Sequence, residues 1–155
     1  MRETISKLEK ADKLITRYAF GSGFLGYIPI PVVDALGIMA VQRKMLFHLA
    51  KVYEIPFSRI LAKDLLKTLA GGFASRAMIP IAMKMIPGIN IIFGSTGMAA
   101  IGSASTYAVG KVFQRHFEKG GTLEDFDPSK QKDTFKTELK KGIILSKNKE
   151  NLRIK

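Results

Sequence analysis

The chain has 155 residues, a net charge of +12 from 25 lysines and arginines against 13 acidic residues, and no cysteine. This length corresponds to about one domain with a single hydrophobic core. The lack of cysteine excludes disulfides, thiolate metal sites and a thiol nucleophile, and it is compatible with a reducing compartment. The charge favours anionic partners such as lipid headgroups, nucleic acid or an acidic protein.

The first predicted element is an amphipathic helix over residues 3–20. Charged residues alternate there with apolar ones at helical spacing, namely Ile5, Leu8, Leu14, Ile15 and Tyr18. Acidic side chains occur within this segment, and the apolar region begins only at Ala19. A cleavable secretory signal would start with a shorter, purely basic segment, so we expect residues 1–18 to belong to the mature protein.

A glycine-rich junction, residues 21–26, and the elbow Ile28-Pro29-Ile30-Pro31 separate the first helix from the second. The second helix is predicted from about Pro31 to Tyr53, before the break at Pro56. The junction matches G-x-G-x-x-G, but a dinucleotide site needs that pattern between a strand and a helix. Because a helix precedes this one and a proline follows it, we interpret the glycines as structural.

The third and fourth predicted helices are shorter. Ser58 is a candidate N-cap for the third helix, which Gly71-Gly72 ends or weakens. The fourth helix covers about 74–85 and stops at the second elbow, Ile86-Pro87-Gly88.

The fifth helix is predicted over about 89–118, with Gly120-Gly121 as its C-cap. Behind an acidic link, Pro128 occupies the first position of a last helix over about 128–145. The basic tail, residues 146–155, is predicted to fray.

The pattern as a whole predicts an all-α fold, because no alternating strand pattern of convincing length occurs. We expect a single helical domain over residues 1–145, built as a five- or six-helix bundle. The elbows at Pro29 and Pro87 each precede an apolar, small-residue-rich helix that becomes basic late and ends near aromatic residues. These two helices are predicted to pack as a central, pseudo-symmetric pair.

The longest uncharged segment runs 26 residues, from Met85 to Gly110. A bilayer core takes about 20 apolar residues, so the segment is long enough to enter or cross a membrane. The alternative is a helix buried on all sides of a soluble bundle, since small residues at four-residue spacing suit close packing in either setting. The candidate membrane or helix-packing residues are Pro29, Pro31, Asp34, Pro87, Gly88, Gly94, Gly102, Thr106 and Gly110.

The charge distribution argues against two membrane crossings. Residues 43–84 carry +6, whereas residues 1–18 and 111–155 together carry +7. The positive-inside rule would require a clear difference between the two sides. Shallow or re-entrant insertion, with every basic segment on one anionic surface, fits these charges better than spanning does.

Asp34 is the one acidic residue in the first apolar region. Its place just after Pro31 suits the N-terminal turn of a helix, where the helix dipole favours an acid. The alternative is a buried polar anchor or proton-sensitive switch that pairs with one of three cations: Arg43, Arg76 or Lys84.

No catalytic or metal-binding set can be drawn from the residues. His48 and His116 have no cysteine or carboxylate at ligand spacing, so we interpret both as surface or interfacial side chains. The phosphate-binding pattern G-x-x-x-x-G-K-[ST] does not occur. We therefore expect neither enzymatic activity nor a cofactor.

The C-terminal stretch from Lys130 to Lys155 contains nine lysines and arginines and three acids. It is interpreted as a solvated helix face, a contact for anionic lipid headgroups, or a nucleic-acid contact. The last is disfavoured because the stretch lacks aromatic stacking platforms. The candidate residues for contact with an anionic surface are Lys130, Lys132, Lys136, Lys140 and Lys141.

Several motifs in fixed order carry a family resemblance. They are Ile28-Pro29-Ile30-Pro31-Val32-Val33-Asp34, Gln42-Arg43-Lys44-Met45, Ile86-Pro87-Gly88, Thr106-Tyr107-Ala108-Val109-Gly110-Lys111-Val112-Phe113, His116-Phe117, Gly120-Gly121-Thr122 and Asp125-Phe126-Asp127-Pro128. Over about residues 20–140 the chain resembles the YcjF-type domain of unknown function, which often follows a small GTPase domain in bacteria.

The resemblance implies a bacterial helical protein that associates with the membrane and works beside a GTPase. It carries over no catalytic residues, and a GTPase would act here in trans. The leading hypothesis is a non-enzymatic, membrane-associated module at the cytoplasmic side of the inner membrane, or in the cytoplasm, that recruits or regulates a partner. A soluble interaction or homo-oligomerisation module is the alternative, and nucleic-acid binding through the basic tail is the third.

Overall fold

The computed structural model describes residues 1–21, 35–71 and 95–154. These segments form five α-helices with no strand among them, which confirms the all-α class. A π-helical turn, Lys67–Gly71, continues the third helix, and a 3-10 turn, Pro128–Gln131, precedes the fifth. In chain order the helices are α1 Arg2–Gly21, α2 Ala35–Val52, α3 Arg59–Leu66, α4 Ser95–Glu118 and α5 Lys132–Ile154.

Local sequence signals set most of the helix ends. The Ser58 hydroxyl accepts a hydrogen bond from the Leu61 amide at 3.3 Å, so the N-cap predicted for α3 is confirmed. Asp127 accepts one from the Ser129 amide at 2.9 Å and caps the turn that starts with Pro128. The predicted elbows at 28–31 and 86–88 and the predicted helix at 74–85 lie outside the described residues.

Helices α2 and α4 end in the same backbone motif. After α4, Gly120 has a φ of 81°, and the Gly121 amide donates to the His116 carbonyl at 3.0 Å, which confirms the predicted glycine C-cap. After α2, Glu54 takes the left-handed position with a φ of 59°, and the Ile55 amide donates to the Ala50 carbonyl at 2.9 Å. A residue with a β-carbon thus occupies a site that favours glycine.

The last helix is longer than predicted. It was expected to end at about residue 145, but α5 continues to Ile154 and includes most of the tail that was predicted to fray. The tail contains no glycine or proline, and its lysines, glutamate, leucine and arginine are good helix formers. Polarity was therefore not a sign that the helix ends there.

Helix α4 lies at the centre of the bundle. It runs parallel to α2, since Gly102 contacts Ile38 and Phe117 contacts Tyr53, and the two contacts follow in the same order along both helices. It runs antiparallel to α1 and α5, which lie on its other sides. The predicted pairing of the two elbow-led helices is thus observed, with α4 enclosed by three neighbours.

The described part of the uncharged segment faces inward. Residues 102–106 and 108–110 are all buried, and Ile101 and Tyr107 are half-buried, so this part of α4 packs against its neighbours on most of its surface, as the soluble-bundle alternative predicts. Residues 85–94 lie outside the described residues. Among the described helices, none combines the length and apolar character needed to cross a membrane.

Candidate functional site

A cluster of cations covers one face of the bundle, formed by α1, α2 and the start of α3. We call this cluster the basic face, and it consists of Lys10, Lys13, Arg17, Arg43, Lys44 and Arg59. Five of the six side chains are exposed, and Arg43 is half-buried. The residues line two adjoining grooves that share Lys44 and His48, so the face is continuous.

Helical spacing produces the cluster. Lys10, Lys13 and Arg17 are three and four residues apart and therefore project from one side of α1. Ile15 projects from the other side and is fully buried. Lys44 is likewise four residues from His48 on α2, so each helix contributes one polar stripe.

The basic face lacks carboxylates. Among the residues that the structure describes, no aspartate or glutamate lines either groove, and none of the six cations forms an ion pair. Cations without counter-charges repel one another and attract external anions. The face is therefore an electrostatic site for an anionic partner.

The predicted C-terminal lysines have a different environment. Three of them contact acids of their own segment, Lys130 with Asp127 at 3.6 Å, Lys136 with Asp133 at 4.0 Å and Lys141 with Glu138 at 3.0 Å. Lys132 and Lys140 are exposed. The structure brings these five lysines together along one end of the chain, but local acids offset part of their charge, and their contact with an anionic surface stays a prediction.

The groove between α1 and α2 contains a half-buried polar pair. The Tyr18 hydroxyl lies 2.6 Å from His48 Nδ1, and both side chains are half-buried. Burial raises the pKa of Tyr18, although the nearby Arg17 charge opposes the shift, so the phenol keeps its proton. We assign the hydroxyl as the donor, which makes Nδ1 the acceptor and Nε2 the N–H nitrogen of the His48 ring.

On the other side of α1, charges are matched. Asp12 Oδ1 accepts from Lys111 Nζ at 2.5 Å and from Gln114 Nε2 at 2.9 Å, which ties α1 to α4. Burial raises the pKa of Asp12, but these two hydrogen bonds and the Lys111 charge outweigh it, so the net shift is downward. Arg115 donates to the buried Glu138 at 2.6 Å and ties α4 to α5. This network joins helices and leaves no excess charge for a ligand.

The predicted packing residues that the structure describes all lie on α4. A β-carbon at Gly110 would lie 2.8 Å from Ile15 Cγ1, and one at Gly102 would lie 3.1 Å from Ile38 Cδ1. Thr106 is buried, and its hydroxyl donates to the Gly102 carbonyl at 2.9 Å. These residues contact helices of the same chain. The remaining six, Pro29, Pro31, Asp34, Pro87, Gly88 and Gly94, lie outside the described residues.

His116 holds the loop that follows α4. Its Nε2 lies 2.8 Å from the Thr122 carbonyl and 3.1 Å from Asp125 Oδ1. The sequence spacing of His116 did not indicate this carboxylate neighbour, because the turn at Gly120 reverses the chain and brings Asp125 back. Among the described residues no group of three metal-ligating side chains converges, so this pair serves the loop.

Sequence reasoning missed the basic face. The cationic stripe on α1 could be found from the helical spacing of Lys10, Lys13 and Arg17. It contains no acid, whereas the neighbouring side of α1 contains Asp12. Its union with Lys44 and His48 depends on antiparallel packing of α1 against α2, which the Lys7–Glu54 and Tyr18–His48 contacts show. That packing is a tertiary property.

The fold and this site define an all-α bundle protein with an enclosed central helix and a cationic outer face. The chain belongs to the family described as Domain of unknown function (DUF697), whose model matches residues 4–142. This is the YcjF-associated domain family, so the resemblance seen in the sequence motifs is confirmed. The match also includes most of α1, which the motifs do not cover.

A curated relative is similar to this chain over most of its length. It is Magnetosome membrane protein 22 of Magnetospirillum gryphiswaldense, 29% identical over an alignment of 140 residues that covers 88% of this chain and 72% of the relative. No solved structure matches the chain.

Proposed function

We propose that this protein is a non-enzymatic helical module that binds the surface of an anionic membrane through its basic face. The observation that carries the proposal is the concentration of six cations on one side of the bundle, with no carboxylate lining the grooves in the described part of the chain. Near an anionic membrane each lysine or arginine contributes about 1 kcal/mol to binding. A face of this size is enough for reversible attachment.

The comparison adds support of a different kind. The similar protein from Magnetospirillum gryphiswaldense carries the words "magnetosome membrane protein" in its name. Attachment at the surface also agrees with the enclosed position of residues 102–110, whose apolar side chains are occupied by helix contacts. We place the binding surface at the cytoplasmic side of the bacterial inner membrane.

The finer part of the proposal is recruitment or regulation of a protein partner. The family resemblance suggests a GTPase acting in trans, held near the membrane by this module. Co-purification of a GTPase with the tagged chain from membranes, lost when the basic face is neutralised, would support this part. Recovery of the chain from membranes as a homo-oligomer alone would contradict it.

The membrane proposal is tested with two triple variants of equal charge. One carries Lys10→Gln, Lys13→Gln and Arg17→Gln on the basic face. The other carries Lys130→Gln, Lys132→Gln and Lys140→Gln on the C-terminal segment. All six side chains are exposed, so neither set removes core packing, and both variants have a net charge three units lower than the wild type.

Sedimentation with phosphatidylglycerol vesicles then separates the two surfaces. We expect the α1 variant to lose about 100-fold in affinity, from three contacts of about 1 kcal/mol each, and the C-terminal variant to lose about threefold or less. Equal losses would show that charge alone acts, and a larger loss in the C-terminal variant would move the contact to α5. A wild-type chain that does not sediment with the vesicles, and that elutes as a sharp monomer or dimer in detergent-free size exclusion, would favour the soluble alternative.

A further inference from the structure

We infer that the groove between α1 and α2 binds a lipid whose headgroup is a phosphate monoester, with Lys13, Arg17, Lys44 and His48 as headgroup ligands. This inference rests on the proposed membrane function and names the lipid class that the basic face selects. It commits to a membrane lipid rather than to a free phosphate.

The first argument is the arrangement of charge. Lys10, Lys13 and Arg17 line the groove from α1, and Lys44 lines it from α2, with no carboxylate among the described residues of either wall. A phosphate monoester carries about −1.5 to −2 charges at neutral pH, whereas a phosphodiester headgroup carries about −1. Cations on both walls of one groove therefore favour the monoester, which can contact both walls at once.

The second argument is the donor set. Arginine presents a planar fork that matches phosphate oxygens, and lysine ammonium groups add point charges. His48 adds a further donor, because with the Tyr18 hydroxyl assigned as the donor to Nδ1, 2.6 Å away, Nε2 carries the ring N–H. Tyr18 is thus a positioning residue that fixes the tautomer, and His48 is the residue that contacts phosphate.

The third argument is the apolar part of the same groove. Leu14, Val41 and Val52 line it together with the cations. A free phosphate makes no use of such a lining, whereas the glycerol and the first acyl carbons of a lipid do. The combination of cationic and apolar lining identifies an amphipathic anion.

The test compares phosphatidic acid with phosphatidylglycerol in phosphatidylcholine vesicles of equal surface charge. For the wild-type chain we expect about tenfold tighter binding to phosphatidic acid, since charged hydrogen bonds are each worth about 1.5 kcal/mol or more. In the Arg17→Ala/Lys44→Ala variant the preference should fall to about twofold or less. The matched Lys132→Ala/Lys140→Ala variant should keep it.

Tyr18→Phe provides a second readout, because it removes the hydroxyl that fixes the His48 tautomer but removes no side chain that contacts the phosphate. It should lower the preference for phosphatidic acid while leaving phosphatidylglycerol binding and the thermal midpoint near wild type. Glycerol 3-phosphate serves as the soluble monoester and should not compete with the vesicles. Competition at equal phosphate concentration would contradict the commitment to a lipid.

Equal wild-type binding to the two vesicle types would overturn the headgroup inference and leave the proposed function intact. Binding to neither type would instead overturn the proposed function. A preference that survives in Arg17→Ala/Lys44→Ala would show that the monoester binds outside this groove and would overturn its placement.

Discussion

Gly142 of α5 lies directly on the backbone of Ala104 in α4. A β-carbon built on Gly142 would lie 2.8 Å from Ala104 Cα and 2.9 Å from the Ala104 carbonyl oxygen. Real β-carbons do not approach backbone atoms this closely, and the contacted atoms belong to a buried helix that has no room to move. The pair fixes how near the last helix approaches the central one.

This contact predicts that Gly142→Ala destabilises the protein by about 2 kcal/mol, because overpacking outweighs the helix-propensity gain of about 1 kcal/mol. Urea unfolding measures the change. Gly21→Ala is the control, because a β-carbon there meets nothing within 4 Å, and it should be neutral or slightly stabilising. A Gly142→Ala variant as stable as Gly21→Ala would show that α5 moves away from α4 without loss.

Glu138 gives a second stability prediction. Its side chain is 1% exposed and accepts from Arg115 at 2.6 Å and from Lys141 at 3.0 Å. Glu138→Gln should cost about 1–2 kcal/mol, less than a fully buried pair, because both cations are about half exposed and regain water.

The control for Glu138→Gln is Asp133→Asn, whose side chain is 99% exposed on the same helix. That change should stay within about 0.5 kcal/mol of wild type in the same unfolding experiment. If the free energy of unfolding falls equally in Glu138→Gln and Asp133→Asn, the Arg115–Glu138 ion pair between α4 and α5 does not stabilise the fold.

Acid stability should depend on Asp12. Its folded-state pKa lies below the ordinary value of 3.8, so its contribution is present above that value and is lost as pH falls through the folded pKa. We expect the free energy of unfolding to fall below about pH 4 in the wild type. It should fall less steeply in Asp12→Asn.

Lys111→Met removes the partner of Asp12 and serves as the companion variant. It should flatten the same part of the pH profile, because the Lys111 hydrogen bond and the Lys111 charge both lower the pKa of Asp12. Profiles of both variants that run parallel to the wild type would contradict the assignment of this acid sensitivity to the Asp12–Lys111 contact.

Glu54 predicts a gain in stability. Its left-handed backbone, with a φ of 59°, costs a residue with a β-carbon about 1 kcal/mol. Glu54→Gly should recover this energy, less the contribution of the exposed ion pair with Lys7 at 3.2 Å, for a net gain of about 0.5 kcal/mol. In the Lys7→Ala background the ion pair is already absent, so the full gain should appear in thermal unfolding. A loss in that background would show that Glu54 makes a contact worth more than its strain.

The helix ends that sequence analysis located are those set by neighbouring residues. Ser58, the Asp127-Pro128 step and Gly120 each act within one turn of the chain, so their residue types suffice to predict them. Glu54 repeats the geometry of Gly120 without a glycine, so its residue type does not predict the left-handed conformation. The end of α5 was misplaced because polarity was taken as a sign of fraying.

The site was harder to predict than the fold. A run of lysines such as 130–141 is visible in a sequence. In the structure, ion pairs with the neighbouring acids Asp127, Asp133 and Glu138 offset part of its charge. The basic face is spread over three helices and has no dense run of charge. Its cations meet only because α1 packs antiparallel to α2, and no local pattern specifies that.

The measurement that tests the central claim most directly is the salt dependence of wild-type binding to phosphatidylglycerol vesicles. Attachment through the basic face predicts clear binding at about 0.05 M salt and near-complete release at about 0.5 M, because screening shortens the reach of the cations. The released protein should keep its helical circular dichroism. Absence of binding at low salt, or binding that high salt leaves unchanged, would contradict attachment by the basic face.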